Sequence, residues 1–105
     1  MSKLFITYKL KPNITTESFE AWVEGRDYPA LRGLTRVSSF VTNRAVRHLL
    51  SSDTSPSVSY IEEFVIPDLD GFMREDFGTE TVQKILGEFM GMVDHPEFIV
   101  AEEIG

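Results

Sequence analysis

Two places in the chain put proton-exchanging side chains where a ligand could meet them. In "VEGRDYPALRGL", residues 23–34, Asp27 and Tyr28 stand side by side at the end of a helical pattern. A cleft between that helix and a sheet would let Asp27 orient a substrate N–H, or act as a base whose pKa burial has raised, with the phenol beside it. The plainer alternative is that Asp27 caps a turn and Tyr28 fills the gap left by Gly25. The second place is "DHPE", where His95 is an acid or base by type, because an unperturbed imidazole titrates near neutrality. Pro96 stiffens its backbone and Asp94 could hold one ring nitrogen; the alternative here is a polar surface turn. Asp27, Tyr28 and His95 form the catalytic expectation.

A local inconsistency adds to it. Glu62 and Glu63 are successive residues of an apolar strand, so Glu62 shares a face with Tyr60 while Glu63 points with Ile61. A carboxylate in such company needs a partner, with Arg44 or Arg36 across the sheet as candidates, or its pKa must shift. Trp22, Phe72, Phe77 and Phe89 would wall a flat aromatic ligand, and Met73, Met90 and Met92 could adapt to its shape, although aromatic residues at helical spacing are more often core. The substrate-binding expectation is therefore Trp22, Arg36, Arg44, Tyr60, Glu62 and Phe89. Two histidines 47 positions apart, His48 and His95, make no metal motif.

The elements that must position these residues follow from periodicity. Alternation predicts a strand over Lys3–Lys11, with Leu4, Ile6, Tyr8 and Leu10 on one side. Thr15 or Thr16 caps a helix carrying Phe19, Trp22 and Val23, which ends between Gly25 and Pro29. Asp27 then caps a short turn by accepting the N–H of Ala30, and Gly33 closes it at positive φ. A long strand is expected over Thr35–Leu50, its far half a strand or a loop, and an apolar one over Val58–Ile66. Asp68 or Asp70 starts a short helix, Thr79 caps a longer one bearing Val82, Ile85, Leu86, Phe89, Met90 and Val93, and "EFIVAEEI" closes as a strand.

The order βαββαβ folds most simply as an α+β, ferredoxin-like domain: one four-stranded antiparallel sheet with both helices on one face. The two middle strands are apolar on both faces, however, and the helices cover one. The uncovered face is expected to pack against a second copy, giving a homodimer.

Composition excludes several roles. A chain of 105 residues with a net charge of −7 and scattered Lys and Arg fits one domain over residues 1–105 and builds no basic stripe, so nucleic acid is not an expected partner. No apolar run is long enough to span a bilayer and "MSKLFITYKL" lacks a signal-peptide cleavage site, so no membrane partner and a cytoplasmic location are expected. The absence of cysteine removes thiolate chemistry and disulfides. No G-x-G-x-x-G, P-loop or G-x-S-x-G occurs, which leaves nucleotide cofactors and serine acylation without support.

The βαββαβ order, "FEAWVEGRDYPALRGL" running into "TRVSSFVTNR", and "DHPEFIVAEE" together resemble the REDY-like proteins of the dimeric α/β-barrel superfamily, most specifically over residues 19–44 around "RDYP". That resemblance implies a ferredoxin-like protomer, a dimeric barrel, and a secondary-metabolite pathway, prodigiosin-type pigments included, that handles small aromatic heterocycles of pyrrole or indole type. The superfamily includes cofactor-free monooxygenases, cyclases and haem-degrading enzymes, so the resemblance leaves the chemistry open. The expected function is a small cofactor-free enzyme or pathway helper. A carrier dimer that shields a reactive intermediate, or a structural partner of a larger enzyme, stands as the alternative.

Overall fold

The computed structural model describes residues 2–105. Its strands are β1 (Ser2–Leu10), β2 (Ser39–Arg44), β3 (Tyr60–Val65) and β4 (Val93–Glu102). They form one antiparallel sheet in the order β2-β3-β1-β4, the ferredoxin-like interleaving of two βαβ units. The period-two alternation decides which side chains meet. Phe40, Phe64, Leu4 and Val100 form one cross-strand row on the helix side; Thr42, Glu62, Ile6 and Phe98 form the next. Tyr8, Phe40, Tyr60, Phe64 and Ile66 are buried there. Phe40 and Phe64 stack with ring centroids 3.9 Å apart, and Tyr8 stacks on Tyr60 at 5.7 Å.

The first crossover is helical for longer than its sequence suggests. Thr15 caps α1 (Thr16–Trp22) by accepting the N–H of Ser18 at 3.1 Å, as expected of a threonine there. The chain then passes through a π turn (Val23–Asp27), closed by the Tyr28 N–H on the Val23 carbonyl, straight into α2 (Tyr28–Arg32). No break separates Gly25 from Pro29. Pro29 takes a first-turn position of α2, where its missing N–H leaves no donor to be satisfied. Asp27 does not cap: its backbone is helical and its side chain makes no capping bond. Gly33 is not at positive φ either, since its φ is −77°. A glycine suits that position because a Cβ would lie 3.1 Å from the Pro29 carbonyl oxygen.

The second crossover repeats the device. Asp68 caps α3 (Leu69–Gly71), a π turn (Phe72–Asp76) follows, and Thr79 caps α4 (Glu80–Met90). Val82, Ile85 and Phe89 are the buried face of α4.

Two strands differ from expectation. β2 stops at Arg44; beyond it the Ala45 N–H still reaches the Ser59 carbonyl, and then no partner strand remains. Val46, Leu49 and Leu50 consequently lie exposed in a loop. β4 begins at Val93, so His95 belongs to the strand and not to a turn before it. There the pairing slips between Thr7 and Lys9, leaving His95 and Pro96 opposite Tyr8, with His95 at φ 54°. This is a β-bulge on an edge strand, where a proline costs no ladder bond.

The opposite face of the sheet carries no helix. Val41, Ile61 and Ile99 are 44%, 39% and 45% exposed, with Phe5 partly covered between them. The apolar surplus anticipated from alternation is therefore present on the protomer. Among the described residues no helix is long and apolar enough to cross a membrane.

The core depends on the joint between α1 and the sheet, where fully buried Phe19 meets Tyr60 at 4.9 Å and Tyr8 at 5.7 Å. Phe19→Ala should lower the unfolding free energy by about 3–5 kcal/mol in urea titrations. A change under about 1 kcal/mol would show that this joint is not where stability resides.

Candidate functional site

Asp27 and Glu62 are the buried polar and charged side chains of the core, each 2% exposed, and both line one cavity of about 90 Å³ between helices and sheet. The rest of its wall is apolar: Leu4, Ile6, Phe64 and Ile66 from the sheet side, Leu31 from α2, Phe72 and Phe77 from the second crossover, Val82, Ile85, Leu86 and Phe89 from α4, and Phe98 from β4.

Helical spacing brings Asp27 inward. Phe19 and Val23 point to the core, and a third inward position four residues later would drift sideways in an α-helix of about 3.6 residues per turn. The wider π turn winds that drift back, so Asp27 stays on the buried face. Glu62 arrives by strand alternation, between Tyr60 and Phe64. Its partner is neither Arg44 nor Arg36. It accepts a short hydrogen bond from the hydroxyl of Tyr8, which lies diagonally across the β1–β3 ladder. Asp27 has no hydrogen-bond partner among the described residues.

The electrostatics follow from burial without a counter-ion. Loss of hydration pushes Asp27 up to about 7. Burial raises Glu62 to about 8, the Tyr8 hydrogen bond opposing and the nearby Asp27 charge adding. Tyr8 is driven far above the usual phenol range, by burial first and then by Glu62. Near neutrality the two carboxyls thus share protons, and either can give one or take one.

The other anticipated residues lie elsewhere. Tyr28, Arg44 and Tyr60 line a separate, more polar cavity of about 140 Å³ with Glu20, Val23, Glu24 and Thr42. The Tyr28 hydroxyl accepts the Thr42 N–H at 2.9 Å, and one helical turn on, Arg32 donates to the Phe40 carbonyl at 2.8 and 3.0 Å while lying 3.5 Å over the Tyr28 ring. Together they close the open edge of β2. Arg44 forms a two-pronged pair with Glu20, which also accepts from Tyr60 and is held down to about 2 by Arg44 first and Tyr60 next. Arg36 is occupied by Asp68, Glu75 and Asp76. Trp22 stacks on Phe89 outside the cavity and donates to Glu88, which also receives a two-pronged bond from Arg26 and is lowered to about 2, by Arg26 chiefly. His95 is exposed beside a third, open hollow with Thr7, Lys9 and Val58, and Asp94 does not bond its ring. The structure therefore brings together Asp27, Glu62 and Phe89, and separates them from Tyr28 and His95. Tyr8 is the member that sequence reasoning missed. Its place on the inward face of β1 was readable, but the register that sets it beside Glu62 was not.

The folded chain holds the protons of Asp27 and Glu62 more tightly than an unfolded chain does, where such groups titrate near 4. Their contribution to stability is whole below about pH 4 and is lost as pH rises through about 7 and 8, at a cost on the order of a few kcal/mol each. Glu20 and Glu88 act in the other sense: their contribution is present above about pH 4.5 and is lost as pH falls through about 2. The urea midpoint should therefore fall from pH 5 to pH 9, and Glu62→Gln should flatten the decline. A midpoint that is level or rising over that range would contradict the burial of two unpaired carboxyls.

The geometry can be set beside known proteins. The chain covers 100% of itself and 94% of HapK from Hahella chejuensis in a structural comparison, with 26% identity and a TM-score of 0.79. A hydroxynitrile lyase from Passiflora edulis is 10% identical over 95% of this chain and 90% of that one, TM-score 0.74. A dimeric ferredoxin-like protein from Thermobifida fusca is 9% identical over 95% and 88%, TM-score 0.71. The last two share the fold only. Among curated proteins no sequence matches the chain. The family model described as REDY-like protein HapK matches residues 2–104. With nearly every residue inside that match, on a ferredoxin-like sheet, the chain belongs to the REDY-like HapK family.

Proposed function

We propose that the chain is a small cofactor-free enzyme of secondary metabolism that moves protons on a pyrrole- or indole-type intermediate, as prodiginine-like pigment formation would require. The observation that carries this reading is the pair of buried carboxyls, without a counter-ion among the described residues, in a cavity otherwise lined by aliphatic side chains and five phenylalanine rings. At the pH where the pair holds one proton, one carboxyl is an acid and the other a base. An electron-rich ring carbon takes the proton of the first carboxyl and becomes a ring cation beside the new carboxylate. Its original hydrogen then leaves as a proton to the second carboxylate, and the aromatic ring is restored. Charge and atoms balance with no other reagent.

Size limits what enters. The cavity of about 90 Å³ is smaller than an engineered apolar cavity of about 150 Å³ that takes up benzene, so it admits no more than one small ring. Phe98 of β4 lines the cavity and is 46% exposed, so in this reading the remainder of a larger substrate would lie outside along that strand. In this reading Asp27 and Glu62 are catalytic and Phe89 is wall. Tyr28, Arg44 and Tyr60 hold the edge of the sheet and its joint with α1, Trp22 ties α1 to α4, Arg36 fastens α3, and His95 has no step.

The protomer is further proposed to work as a homodimer. Its uncovered apolar sheet face supports this, as does the likeness to a ferredoxin-like protein described as dimeric. Sedimentation equilibrium should give twice the protomer mass of 11.9 kDa, and Ile61→Asp should shift it to one protomer. A wild-type monomer at micromolar concentration would remove the dimer.

The reaction is tested by hydrogen–deuterium exchange of 2-methylpyrrole in D2O, followed by proton NMR. The folded protein should accelerate ring exchange by roughly 10²–10⁴-fold over buffer, with a bell-shaped optimum at pH 7–8, and Asp27→Asn or Glu62→Gln should abolish the acceleration. Saturable binding without exchange would make the protein a carrier. Equal exchange in both variants would remove the proposed roles.

A further inference from the structure

Among the described residues no positive charge pairs with Asp27 or Glu62, although cations stand on the elements around them. Lys3 of β1 is paired with Glu63 and Glu103, Arg26 with Glu88, Arg44 with Glu20, and Arg36 with three carboxylates. Arg32 is spent on the β2 edge, and Lys9, Arg74 and Lys84 are exposed at the surface. Both carboxyls nonetheless line a cavity whose other lining is apolar and includes the rings of Phe64, Phe72, Phe77, Phe89 and Phe98. An unpartnered carboxyl, 98% hidden from solvent, beside aromatic walls is the arrangement that favours an organic cation over a neutral ring of the same size.

We infer that this cavity is selective for a cationic nitrogen compound of single-ring size, an ammonium or a protonated heterocycle, whose charge takes the place of the counter-ion that the chain withholds from Asp27 and Glu62. The inference rests on the site of the proposed function and names its ligand class. The same preference would hold a ring cation formed during proton transfer.

Binding of such a cation is linked to proton release. The titratable groups facing the cavity are Asp27 from the first crossover, Glu62 from β3 and Tyr8 from β1 through Glu62; α4, the second π turn and β4 present only apolar side chains to it. Burial keeps the two carboxyls protonated toward neutrality, so the arriving cation must displace at least one proton. Cation affinity should then rise with pH, by up to about tenfold per pH unit below the titration range.

The test compares pyrrolidine, a cation at neutral pH, with pyrrole, a neutral ring of similar size, by isothermal titration calorimetry on the full chain. At pH 8 pyrrolidinium should bind at least tenfold more tightly than pyrrole, and at least tenfold more tightly than it does at pH 6. Repeating the pH 6 titration in two buffers of different ionisation heat should show release of about one proton. Asp27→Asn and Glu62→Gln, neutral groups of the same shape, should fold and lose both the preference and the release. Equal affinity for the two rings, an affinity for pyrrolidinium that ignores pH, or no binding of either would overturn the inference. Pyrrolidine has no aromatic hydrogen to exchange, so its binding is independent of catalysis. Cation preference without pyrrole exchange would keep this inference and sink the proposed reaction, whereas exchange without cation preference would do the reverse.

Discussion

Two acid side chains occupy the middle of an apolar core, and the described residues supply one phenol and no cation to offset them. Most of what is unusual about this protein follows from that imbalance. A carboxylate removed from water without a partner is among the most costly groups a core can hold, and it responds by keeping its proton. Glu62 recovers part of the loss through Tyr8, and Asp27 recovers none from any hydrogen bond. A core built for stability alone would place leucine or methionine at both positions. Local rules broken at both positions are what the proposed reading of the site accounts for.

The surrounding scaffold holds that strained centre from outside. The π turn keeps Asp27 on the inward face of a helix that Pro29 would otherwise end. Tyr28 and Arg32 close the sheet edge, the Trp22–Glu88–Arg26 set ties the two crossovers together, and Arg44 with Tyr60 anchors Glu20 against the sheet. Tyr28, Arg36 and Arg44, candidates in the sequence, are thus engaged in contacts outside the cavity. The buried interior is left to the two acids and apolar side chains.

The architecture was largely legible because it depends on periods of two and about 3.6, which the sequence displays directly. The order of elements, a threonine cap at Thr15 or Thr16, another at Thr79 and the apolar surplus on the second sheet face were all readable. Boundaries were not. β2 ended early because an edge strand runs only as far as its neighbour, and the first helix continued because a π turn absorbed what Gly25 and Pro29 threatened to break. The site was half legible for the same reason. Glu62 betrayed itself as a charge among apolar neighbours and Asp27 stood out within its motif, but the capping role weighed for it was wrong in geometry. Their meeting depends on β-register and on a helical phase shift, and neither is written in local spacing. Tyr8 looked like one more inward aromatic until the ladder fixed its neighbour. His95 was misplaced because a proline after a histidine reads as a turn, whereas here it marks a bulge inside β4.

The account stands on the protonation of that central pair, and carboxyl carbon-13 NMR reads it site by site. With labelled aspartate and glutamate, and Asp27→Asn and Glu62→Gln used for assignment, two carboxyl resonances of the ligand-free protein should titrate near pH 7–8, each moving when the other residue is neutralised. Ordinary titration of both groups near pH 4 would mean that water or a cation reaches them, and the buried, uncompensated centre would not exist.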